Sequence, residues 1–290
     1  MAKDGFRPFR TLAVVGLGLI GGSFALDVKR LGLAKKILGY DQNPDHCKQA
    51  LELGLVDAAS PEIDESLRSA ELVLLAVPVR ALPNVTTQLL PFWNPDTILT
   101  DAGSVKNPLL KAMRRPEFSE VRFVGGHPIS GKESFGPTAA LPKLFEGKRF
   151  ILTPEAHTDP DVTQRVGGLW AALGSEVLEM EATAHDQIFA AVSHLPHLLA
   201  YASIDAIVRS DHPEALAYSG GGLKDFSRIA SSSPEMWADI FLDNQTHLLD
   251  RVRVFRETLD TLTDAITSGD RERIIELLQN AKDSRDHWMG

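Results

Sequence analysis

The first half of the chain alternates short apolar runs with segments of helical periodicity. Runs that are apolar almost throughout predict strands buried on both faces of a parallel sheet, with helices packed on each side. Helix signals fit this alternation, since Gly32 and Gly54 each follow an amphipathic segment and Pro44 begins the second one. The predicted strands are residues 11–16, 35–41, 70–78, 96–101, 120–126, 148–154 and 174–180.

The pattern changes after Glu181, and no strand signal occurs between residues 183 and 290. Ser233 followed by Pro234 is a typical helix start, and Gly269 is a typical helix end. The periodicity therefore predicts an all-α second half. Its predicted helices are residues 184–210, kinked near Pro196, then 231–269 and 270–283.

A continuous apolar seam runs along the second predicted helix, with residues at 4-3-4-3-4 spacing. Its members are Leu248, Val252, Phe255, Leu259, Leu262 and Ile266. Such a seam is typical both of a domain core and of an interface between two copies of a chain, and the sequence leaves both open. We expect two domains, an α/β domain over residues 1–181 and an all-α domain over residues 182–290.

The composition argues against several classes of partner and of cellular location. The net charge of −9 argues against a nucleic-acid partner, and the single cysteine, Cys47, allows no intrachain disulfide. No apolar run reaches the roughly 18 residues of a membrane span, and the polar residues 1–10 do not form a signal peptide. We therefore expect a cytoplasmic protein with neither a nucleic-acid nor a membrane partner.

A glycine-rich turn follows the first predicted strand. Gly16, Gly18 and Gly21 form a G-x-G-x-x-G pattern that opens a helix, with Leu19 and Ile20 inside it. The first glycine permits a tight turn, the second lets a pyrophosphate approach the backbone, and the third permits close helix–strand packing. These positions predict a Rossmann-type dinucleotide site, and a glycine-rich turn without a cofactor is the alternative.

The cofactor is predicted to be NAD rather than NADP. Asp41 ends the second strand about 20 residues after the glycines, where a carboxylate accepts hydrogen bonds from a ribose diol and repels a 2′-phosphate. Val77 and Pro78 follow a later strand and are expected to line the nicotinamide side.

A serine and a histidine follow two strand ends at the edge where such folds bind ligands. Ser104 comes after strand 96–101, and His127 comes after strand 120–126. A neutral imidazole, with an ordinary pKa of about 6.5, can take a hydroxyl proton while hydride leaves the same carbon. A histidine in a turn can instead serve at the surface, and Ser104 can instead cap a helix beginning at Val105.

The helical half offers two further polar pairs. His194 and His197 could ligate a metal, but no third ligand is spaced nearby, so we expect a core histidine and a pocket histidine. Lys224 and Arg228 are four residues apart on one helix face. They could bind a substrate carboxylate or form a solvated salt-bridge face.

Five motifs together resemble the prephenate/arogenate dehydrogenase family of tyrosine biosynthesis. They are GLGLIGGS, DAGSVK, GGHPISGKE, SHLPH and GGGLKDFSRIASSSPEMW, and the resemblance spans roughly residues 10–285. It implies a Rossmann domain followed by an all-α dimerisation domain. It also implies a homodimer that oxidatively decarboxylates a small dicarboxylate, a cyclohexadienol, with NAD(P).

The resemblance assigns roles to individual residues. It makes His127 the catalytic base, Ser104 its hydrogen-bonding partner and Arg228 the ligand of the ring carboxylate. His197 would contact the substrate side chain. A dianionic substrate would also account for Lys224 beside Arg228 in the pocket. The remaining implied positions are Ser130, where relatives often carry Ala, and Glu133, in a loop that can gate the pocket.

Several alternatives remain open at this stage. Prephenate and arogenate differ only in a keto or amino side chain, which these motifs do not distinguish. A β-hydroxyacid dehydrogenase would use a lysine of the helical domain, and Lys224 could be that residue. A dinucleotide-sensing regulator would need no base at His127. We expect neither a chorismate mutase segment before Thr11 nor an ACT domain after Gly290.

Overall fold

The computed structural model describes residues 6–132, 134–210 and 212–289. The strands of the first half are β1 (Phe9–Val15), β2 (Ala34–Tyr40), β3 (Ala58–Ser60), β4 (Leu72–Leu75), β5 (Ile98–Asp101), β6 (Arg122–Pro128), β7 (Arg149–Thr153) and β8 (Glu176–Glu179). They form one sheet in the order β3-β2-β1-β4-β5-β6-β7-β8. The helices of this half are α1 (Leu19–Arg30), α2 (Pro44–Glu52), α3 (Leu82–Leu89), α4 (Asn107–Met113) and α5 (Pro160–Ala172).

Apolar layers cover both faces of the sheet, as the uninterrupted hydrophobic strands require. On one face α1, α2 and α5 pack, and the rings of Phe150 and Trp170 stack with centroids 4.0 Å apart. On the other face, residues of α3 and α4 form a cluster with Trp237 and Ile240 of the C-terminal half. The helical half therefore completes the core of the second face.

The prediction of an all-parallel sheet is wrong at the last two strands. β7 runs antiparallel to β6, with His127 opposite Ile151, and β8 lies parallel to β7, so both run opposite to the other strands. A parallel crossover needs a dozen or more residues, usually with a helix. Among the described residues of the connection between β6 and β7, the only helical segment is the short 3₁₀ turn Pro137–Ala139, so no crossover helix carries the chain back for a parallel return. The three-residue strand β3 was also missed by the sequence pattern.

Helices make up the described C-terminal half, as predicted. They are α6 (Ala182–Phe189), α7 (Leu195–Val208), α8 (Gly221–Ser227), α9 (Pro234–Asp243), α10 (Gln245–Thr267) and α11 (Arg271–Met289). The irregularity expected near Pro196 is a π-helical turn, Ala190–His194, which joins α6 to α7. Proline lacks the N–H that would continue an α-helical ladder at this point.

The prediction of a single helix over residues 231–269 is wrong, because Asn244 separates α9 from α10. Its backbone angles, φ −110° and ψ 27°, leave the helical region. The helix start was predicted correctly, since the Ser233 hydroxyl accepts a hydrogen bond from the Met236 nitrogen at 3.3 Å. Gly269 ends α10 with φ +68°, which glycine adopts without strain.

The apolar seam is only partly covered within one chain. Leu248 is buried, but Leu259 and Ile266 keep 46% and 58% of their surface exposed, and no residue of α11 is buried. Helices α10 and α11 pack against each other and leave a long apolar face uncovered. Large exposed apolar faces typically mark protein–protein contacts.

Length and composition alone would let the helix Ala182–Val208 cross a membrane, and it is the one such helix in the described ranges. Three polar side chains on it, His185, Asp186 and His194, are buried inside the protein. This helix therefore contributes buried polar side chains to the interior of the protein.

Candidate active site

The glycine-rich turn has the geometry of a pyrophosphate site. Gly16 adopts φ +95°, and a Cβ there would lie 2.5 Å from the carbonyl oxygen of Ala76. A Cβ at Gly21 would lie 1.9 Å from the carbonyl oxygen of Gly16, whereas a Cβ at Gly18 would meet no described atom within 4 Å. Gly16 and Gly21 thus allow close packing, and Gly18 faces open space at the N-terminus of α1, where phosphate binds favourably.

Asp41 lies beside this turn at the end of β2. Its carboxylate accepts hydrogen bonds from the backbone nitrogens of Leu17 at 2.9 Å and Asn43 at 3.0 Å. The Nδ1 atom of His46 lies 3.2 Å from the same carboxylate. These contacts hold Asp41 where a ribose diol would lie. The contribution of His46 was missed, although it lies only five residues away in the sequence.

The other residues predicted around the dinucleotide differ in exposure. Leu19 is buried and Ile20 is half-buried at the start of α1. Val77 follows β4, and its Cγ1 lies 3.0 Å from the Cβ position of Gly16. Pro78 is exposed and precedes a short 3₁₀ turn. Val77 therefore lies against the glycine turn, while Pro78 begins the exit from the strand.

A buried ion pair fixes the ends of β5 and β6. Lys106 donates to the carboxylate of Asp101 and to the carbonyl oxygen of Gly126. Asp101 also accepts hydrogen bonds from the nitrogens of Gly103 and Gly126. A Cβ at Gly126 would lie 2.7 Å from the carbonyl oxygen of Asp101, so glycine is needed for this close approach. The sequence pattern had indicated no role for Lys106.

Ser104 lies in the turn between β5 and α4 and is half-buried. Helix α4 begins at Asn107, with Lys106 in the cap position, so the alternative of Ser104 capping a helix from Val105 is wrong. Among the described residues its hydroxyl has no hydrogen-bond partner. The hydroxyl is thus available to a ligand at the carboxyl edge of the sheet.

His127 stands at the end of β6 and is buried. Its Nδ1 lies 2.9 Å from Nε2 of His185, and Nδ1 of His185 lies 2.8 Å from Oδ1 of Asp186. Burial lowers the pKa of His127 well below its usual value, and His185, Lys106 and His194 add to the effect. Burial also lowers the pKa of His185. Both imidazoles are therefore neutral at pH 7.

Asp186 joins the two halves of the protein. Its carboxylate accepts hydrogen bonds from the nitrogens of Lys106 at 2.9 Å and Asn107 at 3.0 Å, and from the Asn107 side chain at 2.7 Å. Burial would raise the pKa of Asp186, but hydrogen bonds from His185, Asn107 and Lys106 lower it. The carboxylate is therefore ionised. Sequence reasoning missed His185 and Asp186, because their partners are distant in the chain.

Asn244, which interrupts the helix, supports the same centre. Its Nδ2 donates to the backbone oxygen of Asp186 at 2.7 Å and to Nδ1 of His194 at 3.1 Å. Burial lowers the pKa of His194 to about 4, so His194 accepts this hydrogen bond as a neutral ring. His194 is thus the predicted core histidine.

His197 occupies a different environment. Its ring stacks on Trp237 with centroids 3.6 Å apart, and its Nδ1 donates to the backbone oxygen of Ser193 at 2.9 Å. It is half-buried, which agrees with the pocket position expected for the second histidine of the pair. Within the described residues no cluster of three or more His, Cys, Asp or Glu side chains could hold a metal.

The two predicted cationic ligands of the substrate, Lys224 and Arg228, are exposed. Lys224 lies on α8, and Arg228 keeps helical angles, φ −50° and ψ −40°, so the two remain on one face. Ser130 is half-buried, and its hydroxyl donates to the carbonyl oxygen of Leu144 at 3.1 Å. Glu133 lies outside the described residues. The structure thus places His127 in a buried centre and the two cations on an accessible surface.

Comparison with known protein families agrees with this architecture. A family model described as prephenate dehydrogenase, nucleotide-binding domain, matches residues 24–179. A second, described as prephenate dehydrogenase, dimerization domain, matches residues 181–280. The resemblance drawn from the five motifs and the expected fold class are both confirmed.

Individual relatives match along nearly the whole chain. Cyclohexadienyl dehydrogenase of Zymomonas mobilis is 34% identical over 280 residues, which are 96% of this chain and 95% of that protein. Prephenate dehydrogenase of Bacillus subtilis is 33% identical over 95% of this chain and 75% of its own length. The crystal structure of Aquifex aeolicus prephenate dehydrogenase with hydroxyphenyl propionate and NAD+ is 37% identical, with a TM-score of 0.90, over 97% of this chain and 99% of that one. This chain therefore belongs to the prephenate dehydrogenase family.

Proposed function

We propose that this protein is an NAD-dependent prephenate dehydrogenase, which forms 4-hydroxyphenylpyruvate in tyrosine biosynthesis. The observation that carries this proposal is the buried, neutral His127 at the carboxyl edge of a dinucleotide-binding sheet. Family membership and the NAD+ bound by the Aquifex aeolicus relative support both the activity and the cofactor.

The residues of the glycine turn fit NAD. The open space at Gly18 suits a pyrophosphate, and the fixed carboxylate of Asp41 suits a ribose diol more than a 2′-phosphate. Leu19, Ile20, Val77 and Pro78 would complete the walls of this site. NAD, when bound there, supplies the acceptor for the hydride that leaves the substrate.

His127 acts as the general base in this proposal. It takes the proton of the ring hydroxyl as hydride leaves the carbon that bears this hydroxyl. The bond between the ring and its carboxylate breaks, its electron pair enters the ring, and CO2 departs as the ring becomes aromatic. Ser104 donates or accepts a hydrogen bond at the same hydroxyl and so orients it towards His127.

The second domain would bind the anionic groups of the substrate. We assign the ring carboxylate to Arg228, with Lys224 beside it, and the pyruvyl side chain to His197. Ser130 and Glu133 would border the pocket from the loop after His127. Arginine in this role mainly positions the substrate, because tight ground-state binding does not itself lower the barrier.

The match to a dimerization domain supports a homodimer, and the exposed faces of α10 and α11 are suitable for its interface. We divide the chain into residues 1–181, which bind NAD, and residues 182–290, which bind substrate and form the dimer. We also propose a cytoplasmic location, with neither nucleic acid nor membrane as partner. These assignments agree with the acidic composition of the chain.

Cyclohexadienyl dehydrogenase activity, with arogenate accepted beside prephenate, is the second candidate. The Zymomonas mobilis relative, which carries that name, favours it. The two substrates have the same ring hydroxyl and ring carboxylate, so His127 and Arg228 would serve both. Only the contacts at the keto or amino side chain would differ.

The direct test follows NADH absorbance with purified protein, NAD+ and either prephenate or arogenate. Turnover of prephenate supports the proposal, and comparable kcat/KM for both substrates supports the second candidate. His127→Asn should lower kcat by roughly 10²–10⁴ and leave NAD+ binding intact. Arg228→Ala should mainly raise KM. Absence of turnover with both substrates would exclude the proposed function.

A further inference from the structure

We propose that His185 and Asp186 are positioning residues for His127. They hold the His127 proton on Nδ1 and so leave Nε2 as the nitrogen that takes the substrate proton. This inference rests on the proposed function, in which His127 is the base. It assigns a role to two side chains of the helical domain that contribute to the reaction through His127.

The direction of the two hydrogen bonds that link His127, His185 and Asp186 follows from Asp186, the last residue of this chain of contacts. Asp186 is ionised and can only accept, so Nδ1 of His185 must carry a hydrogen. A neutral His185 then has no hydrogen on Nε2. The hydrogen between the two rings, whose nitrogens are 2.9 Å apart, must therefore belong to Nδ1 of His127. Nε2 of His127 keeps its lone pair.

Asp186 is fixed so that it cannot turn away from His185. The backbone nitrogens of Lys106 and Asn107 bind its two oxygens, one each, and the Asn107 side chain binds the second oxygen as well. The rings of His127 and His185 both pack against Phe189, with centroids 4.9 Å and 4.5 Å away. The arrangement is therefore set before substrate binds.

Proton uptake by His127 is opposed by its burial and by the neighbouring His185, Lys106 and His194, all of which lower its pKa. A protonated His127 would stand in a buried site that faces the ammonium of Lys106, which is paired with Asp101. The neighbouring His194 is neutral and held by Asn244. The carboxylate of Asp186, reached through His185, is the negative group that stabilises the imidazolium along the chain of hydrogen bonds.

The test measures both the tautomer of His127 and the kinetics of the reaction. Nitrogen-15 NMR of histidine-labelled protein should show hydrogen on Nδ1 of His127 and none on Nε2 at pH 7. Asp186→Asn places an amide donor in the network, so the tautomer should reverse or become mixed. In this variant kcat should fall by on the order of 10²–10⁴ with little change in KM. The acidic limb of kcat/KM should move to lower pH, because the imidazolium loses its negative partner.

Two further variants keep the inference falsifiable if Asp186→Asn folds poorly. His185→Gln can still accept from Nδ1 of His127 and should keep the tautomer and most of the activity, whereas His185→Leu should lose both. Asp57→Asn is the matched control, because Asp57 likewise accepts from a backbone nitrogen, that of Ile37 at 2.8 Å, but lies outside this chain of contacts.

Three results would overturn the inference: hydrogen on Nε2 of His127 in the wild-type protein, an unchanged tautomer and pH profile in Asp186→Asn, or equal activities for His185→Gln and His185→Leu. Failure of the proposed function is distinguishable. A wild-type protein that turns over neither prephenate nor arogenate would exclude the reaction, while the NMR spectrum would still report the tautomer.

Discussion

The ammonium of Lys106 lies 2.5 Å from Oδ2 of Asp101, and both side chains are almost completely buried. This pair joins the turn that carries Ser104 to the end of β5, and the bond from Lys106 to Gly126 extends it to β6. The turn that carries Ser104 and the strand end that carries His127 are thus held by one cation. Two buried charges are costly to desolvate, so the arrangement depends on both partners being present.

Lys106→Met should therefore lower the free energy of unfolding by about 3–5 kcal/mol, because it leaves the carboxylate of Asp101 buried without its cation. Urea denaturation measures this change. Lys29→Met is the matched control, since Lys29 pairs with Asp57 on the surface. Its cost should be under about 1 kcal/mol. Equally small losses in both variants would show that the buried pair does not stabilise the fold.

Two glycines of the same motif should respond differently to alanine. Gly21→Ala places a Cβ against the carbonyl of Gly16 and should cost about 1–3 kcal/mol of stability. Gly18→Ala meets open space, so its unfolding midpoint should not change, while its affinity for NAD+ should fall. Urea denaturation and calorimetric titration with NAD+ separate the two effects. Unchanged NAD+ affinity in Gly18→Ala would place the pyrophosphate elsewhere.

Asp41→Ser should shift cofactor preference towards NADP+. The change removes the carboxylate that would repel a 2′-phosphate, and with it the acceptor held by Leu17. Calorimetric titration with NAD+ and NADP+ gives the ratio of the two dissociation constants. Asp45→Ser removes an exposed charge nearby and should leave this ratio unchanged. If both variants change it equally, net charge rather than Asp41 governs the preference.

Acid should destabilise the protein through its buried histidines. Because the pKa of His194 is lowered from 6.5 to about 4, the unfolded chain takes up a proton in a range where the folded protein does not. The corresponding stability is complete above pH 6.5 and is lost as pH falls towards 4. It amounts to about 3 kcal/mol. His127 and His185, whose pKa values are also lowered, act in the same direction.

Urea denaturation at pH 7 and pH 4.5 tests this dependence. His194→Asn, which removes the titrating ring but retains an acceptor for Asn244, should lose less stability between the two pH values than the wild-type protein. His157→Asn is the control, because the His157 side chain is 75% exposed. Identical pH dependence in all three proteins would exclude His194 as a source of the effect.

The exposed apolar face of α10 and α11 should be the dimer interface. Ile266→Glu and Leu278→Glu change side chains that are 58% and 55% exposed within one chain, and each should weaken the dimer in sedimentation equilibrium. Leu53→Glu, at a leucine 51% exposed after α2, should leave it intact. A dimer that survives both changes in α10 and α11 must use another surface.

Local patterns predicted most elements of the fold. Apolar runs located seven of the eight strands, and glycines such as Gly32 and Gly269 marked helix ends, because these signals depend on neighbouring residues. The direction of β7 depends on how the chain returns after His127, and no single residue encodes it. The break at Asn244 was hidden because the apolar periodicity continues on either side.

The candidate site likewise contains residues that the sequence predicted and residues that it did not. The glycines, Asp41 and His127 stand in short motifs whose chemistry is recognisable from spacing alone. His185 and Asp186 become informative only when the fold brings them to His127 and Lys106, 58 and 80 residues away in the chain. Both are ionisable residues on a helix of mostly apolar composition, Ala182–Val208, and this contrast was the available signal.

The π-helical turn Ala190–His194 determines the angular phase of everything that follows it. Each residue of an α-helix turns the chain by about 100° and advances it by about 1.5 Å. In the π-helical turn a hydrogen bond spans five residues instead of four, so one extra residue fits without changing the phase of α7 relative to α6. If the same residues were wound as a continuous α-helix, α7 would rotate by that angle and His197 would leave the face of Trp237, while His185 and Asp186 would stay in place. The π-helical turn therefore lets one helix place His185 and Asp186 beside His127 at one end and His197 against Trp237 at the other.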